Sequence, residues 1–79
     1  MAIVRNRFKI LLAEKEYRDG RDYSYRDIAR LTGVSPNTIG AYKKGTVTRF
    51  DQPTIVALCN WLECDLSDLI EYGGVPEPA

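Results

Sequence analysis

Histidine is absent from the 79 residues, which removes His-dependent triads, His-containing zinc sites and the commonest general base. Cysteine is scarce: Cys59 and Cys64 alone cannot supply the multi-bridge framework of a small secreted domain. No apolar run exceeds the five residues Ile55 to Cys59, against the ~20 that a membrane-spanning helix needs. The opening MAIVRNRF lacks the uninterrupted apolar stretch of a secretory signal, which predicts a reducing, cytoplasmic setting. Most enzyme classes are disfavoured on these grounds, and no motif calls for a cofactor or a metal.

Basic residues are missing from the last third of the chain. Residues 1–50 hold all 11 Lys and Arg against five acids, a net of +6, whereas residues 51–79 hold six acids and no cation, a net of −6. The formal balance of zero therefore conceals a charge dipole. One basic face is expected to attract an anionic partner while the acidic third repels nonspecific contact. Clustered but merely solvated charge is the alternative.

What is present reads as helices. Val4, Phe8, Leu11 and Leu12 follow the i, i+4, i+7, i+8 spacing of one helical face, which predicts a first helix over 3–17. Arg18 to Asp22 carries charge and a glycine without periodicity and reads as a turn. Ser24 and Asp27 form the S-x-x-D pattern of a capping box that opens a second helix. Ile28, Ala29, Leu31 and Thr32 are expected on its inner face. Gly33 is the expected stop. Ser35 then caps a third helix with Pro36 at its first position, and Gly45 ends it. At ~100° per residue, Ile39 and Tyr42 share its buried side, while Asn37, Gly40, Ala41 and Lys44 lie opposite. Asp51 or Gln52 with Pro53 starts a fourth helix, whose core face is Ile55, Leu58, Cys59 and Leu62. Leu66, Leu69 and Ile70 suggest a short fifth. The expected architecture is all-α: a compact five-helix domain over 1–72 and a flexible tail over 73–79. No strand pattern is evident.

Only Gly33 and Val34 separate the second and third helices, so the two must cross steeply. Ala29 must then be small at the crossing, and Val34 and Ile39 must plug the angle. An ordinary helical hairpin in a small bundle would share some of these features.

Residues 24–45, SYRDIARLTGVSPNTIGAYKKG, followed by TIVALCNWLECDLSDLIEY, resemble the Cro/C1-type helix-turn-helix proteins of bacteria and their phages. The resemblance runs from the first helix to Tyr72 and implies a five-helix, lambda-repressor-like bundle that places its third helix in the major groove of double-stranded DNA, as a transcriptional regulator. It further implies that Ser35, Asn37, Thr38 and Ala41 face the groove. Tyr25, Lys43, Lys44, Thr46, Thr48 and Arg49 are expected at phosphates. Two departures bear on readout. The family usually has Gln where Tyr25 stands, so a bidentate reader of adenine is lost while a phosphate donor is kept. Gly40 and Ala41 replace longer polar side chains, which leaves few base readers and points either to a close approach of DNA at Gly40 or to modest specificity.

Several residues carry two readings. Arg18, Arg21 and the cluster Arg5, Arg7 and Lys9 are either solvated or at flanking phosphates. Cys59 and Cys64, five apart and ~140° around a helix, are expected to pack as thiols rather than bridge. Trp61 is either cover for the core or part of a self-association patch with Ile70 and Tyr72. That patch would support a weak homodimer through the fourth and fifth helices, because one short recognition helix reads too few base pairs. A protein-interaction module or antitoxin-like component on the same fold is the alternative function. RNA binding has little support without an exposed aromatic platform.

Overall fold

The computed structural model describes residues 2–74. In chain order these form β1 (Ala2–Asn6), α1 (Phe8–Asp19), α2 (Tyr25–Thr32), α3 (Pro36–Lys44), α4 (Gln52–Leu62), α5 (Leu66–Leu69) and β2 (Ile70–Gly74). The five expected helices are present, but the all-α expectation is corrected by a two-stranded antiparallel sheet that pairs the two ends of the described chain. Its register sets Val4 opposite Tyr72, Arg5 opposite Glu71 and Asn6 opposite Ile70. Gly73 and Gly74 of the expected tail continue this ladder, and residues 75–79 lie outside the described residues.

The first helix therefore starts five residues later than its periodicity predicts. Val4 shares helical spacing with Phe8, yet the backbone at 2–6 finds its hydrogen-bond partners in β2. Arg7 N–H donates to the Leu69 carbonyl at 2.7 Å and extends the tie between the two ends. Asn6 Oδ1 accepts from Phe8 N–H at 3.1 Å and switches the chain from strand to helix. At its other end α1 runs past the predicted Tyr17 to Asp19, where left-handed Gly20 stops it.

The remaining helix ends follow local chemistry. Ser24 Oγ accepts from Asp27 N–H at 3.0 Å and Asp27 Oδ2 accepts from Ser24 N–H at 3.2 Å, a closed capping box. Ser35 Oγ accepts from Thr38 N–H at 3.3 Å, and Asp51 Oδ2 accepts from Thr54 N–H at the same distance. Gly33 and Gly45 adopt the left-handed conformation after α2 and α3. At the end of α4 Glu63 takes it (φ 57°), the one such non-glycine residue among the described ones.

These ends orient the helices around one core. Phe8, Leu12, Ile28, Ile39, Leu58 and Leu69 are fully buried, and the Tyr42 ring lies edge-on to Phe8 and Phe50 at 6.0 and 6.1 Å. Val34 and Ile39 plug the α2–α3 angle as expected. Leu31 does not join them: it is 48% exposed, because α2 is covered by α3 and α4 on one side only. The left-handed turn at Glu63 bends the chain back, so Cys64 N–H donates to the Cys59 carbonyl at 3.0 Å. The ~140° separation of a continuous helix therefore does not apply. Both thiols are free and half-buried, and burial, reinforced by Cys59, raises the Cys64 pKa to about 11. No helix among the described residues is long and apolar enough to cross a membrane.

Candidate nucleic-acid interface

The three-residue link Gly33-Val34-Ser35 sets α3 across α2 and turns one side of α3 outward. Thr32 stiffens the link, since its hydroxyl donates to the Ile28 carbonyl at 2.7 Å and accepts from Val34 N–H at 3.1 Å. The helical period places Thr32 only on the inner face. Its place four residues after Ile28 and directly before Gly33-Val34 is the signal for the second role, because threonine bonds back to the i−4 carbonyl.

On the outward side Ser35, Asn37 and Lys44 are exposed, and Thr38, Ala41 and Lys43 are half-buried. Asn37, Thr38 and Ala41 meet Thr46, Thr48 and Arg49 around one shallow concavity. Ser35 lies in a neighbouring depression, shared with Thr38 and with Pro53 and Thr54 of α4. The structure thus brings six of the predicted site residues onto one surface and sets Ser35 at its rim. Three of the hydroxyls there are engaged. Ser35 Oγ donates to Thr38 Oγ1 at 2.9 Å while it caps α3, and Thr46 Oγ1 donates to the Ala41 carbonyl at 3.5 Å. Asn37 presents its amide without such a bond among the described residues.

Gly40 is not on this outward surface, contrary to the helical-wheel expectation. It is buried, and a Cβ built on it would stand 3.2 Å from Tyr25 Cε2 and 3.6 Å from Cδ2. The close approach at Gly40 is therefore to the ring of Tyr25 and not to a ligand. A wheel anchored on Ile39 and Tyr42 misses this, because α2 covers a second sector of α3 that only the crossing geometry defines.

Asp51 caps α4 and also lines the concavity. The Thr54 hydroxyl and amide hold its carboxyl below the usual carboxylate range, so the surface carries one fixed anion beside Arg49. Its place two residues after Arg49 was the available signal.

The cations divide into engaged and free. Lys15 pairs with Asp19 at 3.4 Å, and Arg21 and Arg30 pair with Asp27 at 3.6 and 3.5 Å. Arg21 also stacks on Tyr23 at 4.4 Å, so its role is local. Asp27 is held low by the Ser24 backbone and side-chain bonds, then by Arg30 and Arg21. Asp19 is held low first by the Tyr23 hydroxyl, which donates to it at 2.6 Å, and then by Lys15. Arg7 donates to the Asp68 carbonyl at 3.4 Å, and Arg5 lies opposite Glu71. Among the described residues Lys43, Lys44 and Arg49 have no ion-pair partner within 4.0 Å. All three flank the outward side of α3. Lys9, Arg18 and Arg26 have no such partner among the described residues either, so free positive charge also lies on α1 and α2; what distinguishes α3 is that its unpaired cations border an exposed helix face.

The expected self-association patch is partly consumed inside the fold. The Trp61 ring meets Tyr23 edge-on at 5.0 Å and carries Lys15 Nζ over it at 5.0 Å. Ile70 packs against the core. Of the three residues only Tyr72, 75% exposed, remains open, and Leu66, outside the expected patch, is 54% exposed.

Compared with known proteins, residues 7–73 match the family described as the Cro/C1-type HTH DNA-binding domain. No curated protein and no solved structure matches the chain.

Proposed function

The chain belongs to the Cro/C1-type helix-turn-helix family of DNA-binding domains, and from that premise we propose that it is a transcriptional regulator that sets α3 in the major groove of double-stranded DNA. The observation that carries this reading is the coincidence of an exposed helix face with the unpaired cations Lys43, Lys44 and Arg49 around it. Lys44, Arg49, Thr48 and the amides at the start of α3 anchor phosphates. Asn37, whose amide suits adenine N6 and N7, and Thr38, whose hydroxyl proton stays available while its oxygen accepts from Ser35, read bases. Ala41 offers only a methyl contact.

Anisotropy titrations on duplexes selected from a random pool test the proposal. Binding should weaken as salt rises, and Lys44→Ala should lower the salt slope by about 0.9. Wild-type protein that binds no duplex at low salt would refute it. So sparse a set of readers supports binding of two copies, with half-sites roughly 34 Å apart. Analytical ultracentrifugation on a palindromic duplex decides that point, and a strict one-to-one complex would overturn it. The mutual engagement of Ser35 and Thr38 favours a second reading, a protein-interaction or antitoxin-like module. A flat selection with retained fold would support it.

A further inference from the structure

We propose that Tyr25 and Lys43 act as one phosphate clamp seated on Gly40, an inference that rests on the DNA-binding reading above. Gly40 stands mid-helix in α3, where glycine costs helix stability, and it leaves a notch in the helix surface. The Tyr25 ring, carried by the first residue of α2, fills the notch: a Cβ at Gly40 would be 3.2 Å from Cε2. Lys43 is three residues on from Gly40, hence its neighbour on the helix surface, and its Nζ stands 5.6 Å from the centre of the same ring.

This stack has two consequences for anion binding. The negative face of the ring attracts the ammonium, so the long lysine stem is partly ordered before any ligand arrives. Less ordering then remains to oppose binding. The stack also brings the phenol-bearing ring and the ammonium together, one donor from each helix of the helix-turn-helix. Among the described residues neither has a hydrogen-bond or ion-pair partner, whereas Lys15, Arg21 and Arg30 are neutralised by carboxylates. Paired donors with no protein acceptor suit an anionic oxygen, and in this setting that is a backbone phosphate of the duplex. Tyr25 thus anchors where a glutamine would read. Gly40 is the positioning residue, because any side chain there displaces the ring.

The test is a mutant cycle in anisotropy titrations across a salt series on the best selected duplex, with folding checked by circular dichroism and thermal melting. Lys43→Ala should weaken binding roughly fivefold to tenfold and lower the salt slope by about 0.9. Tyr25→Ala should do both by itself, and adding Lys43→Ala to it should change nothing further. Tyr25→Phe keeps the ring, so Lys43→Ala should still lower the slope in that background. If Tyr25→Ala fails to fold, Tyr25→Leu fills the notch without an aromatic face and should behave as Tyr25→Ala. Independent effects, with the slope of Tyr25→Ala equal to that of wild type, overturn the clamp and leave DNA binding intact. Wild-type protein that binds no duplex overturns the DNA-binding reading and the clamp with it.

Discussion

Replacing Gly40 with alanine sets two opposed terms against each other, and the structure says which residue decides the sign. Alanine in a helix interior is favoured over glycine by about 1 kcal/mol, in part because the unfolded chain loses freedom. The added Cβ, however, would sit 3.2 Å from Tyr25 Cε2, 3.6 Å from Cδ2 and 3.9 Å from Cζ. The ring must give by a few tenths of an ångström. Overpacking of a closed core costs ~1–3 kcal/mol. Tyr25 is only half-buried, so it can tilt, and the cost should fall near the low end of that range, about 1 kcal/mol. Gly40→Ala should therefore change stability by less than about 0.5 kcal/mol in the wild-type background. In a Tyr25→Ala background the obstruction is gone and the full gain of about 1 kcal/mol should appear. Thermal or urea unfolding of the four proteins measures this, since 1 kcal/mol shifts the midpoint of such a domain by ~4–8 °C. Additivity within ~0.3 kcal/mol, with the whole gain already present in the wild-type background, would show that the ring does not rest on Gly40. In DNA titrations Gly40→Ala should weaken all sequences alike, because its Cβ meets Tyr25 and no base.

Three further outcomes are expected. The Tyr42 hydroxyl is buried with no partner among the described residues, so Tyr42→Phe should leave stability unchanged or raise it by up to ~1 kcal/mol, and a loss above ~1 kcal/mol in urea unfolding would mean that the hydroxyl is bonded. Asn37→Ala should relax preference at one base pair and weaken the best site by ~1–3 kcal/mol; an equal loss on every duplex would make Asn37 a positioning residue. Asp19, Asp27 and Asp51 all have lowered pKa values through their hydrogen bonds, so the unfolded chain takes up protons first, and stability present above roughly pH 4 should fall as the pH drops through the folded values. Asp27→Asn should flatten that acid limb in melts from pH 6 to 2, and an unchanged limb would contradict the assignment.

Helix ends were legible because their causes span three or four residues. Ser24 with Asp27, Ser35 with Pro36, and Gly33 and Gly45 each satisfy or release backbone groups locally, and the caps form as read. The core positions Phe8, Leu12, Ile28, Ile39, Tyr42 and Leu58 also follow from periodicity. Periodicity failed where a partner lay far along the chain. Five residues at 2–6 carry too little pattern to distinguish a strand from the first turn of a helix, and the strand exists because Ile70–Gly74 lies beside it.

The candidate surface divides in the same way. Which residues point outward on α3 follows from the helical period for Asn37, Ala41 and Lys44, and fails for Gly40 because burial there is set by where α2 crosses. Composition alone determined that the first fifty residues carry the positive charge. Lys15 with Asp19 and Arg30 with Asp27 are pairs that the helical period itself brings together, four and three residues apart. Only the tertiary structure decided that Arg21 reaches Asp27 across the turn while Lys43, Lys44 and Arg49 meet no carboxylate among the described residues. A charge's partner is a matter of distance in space, and Coulomb attraction at 3 to 4 Å takes no account of separation along the chain.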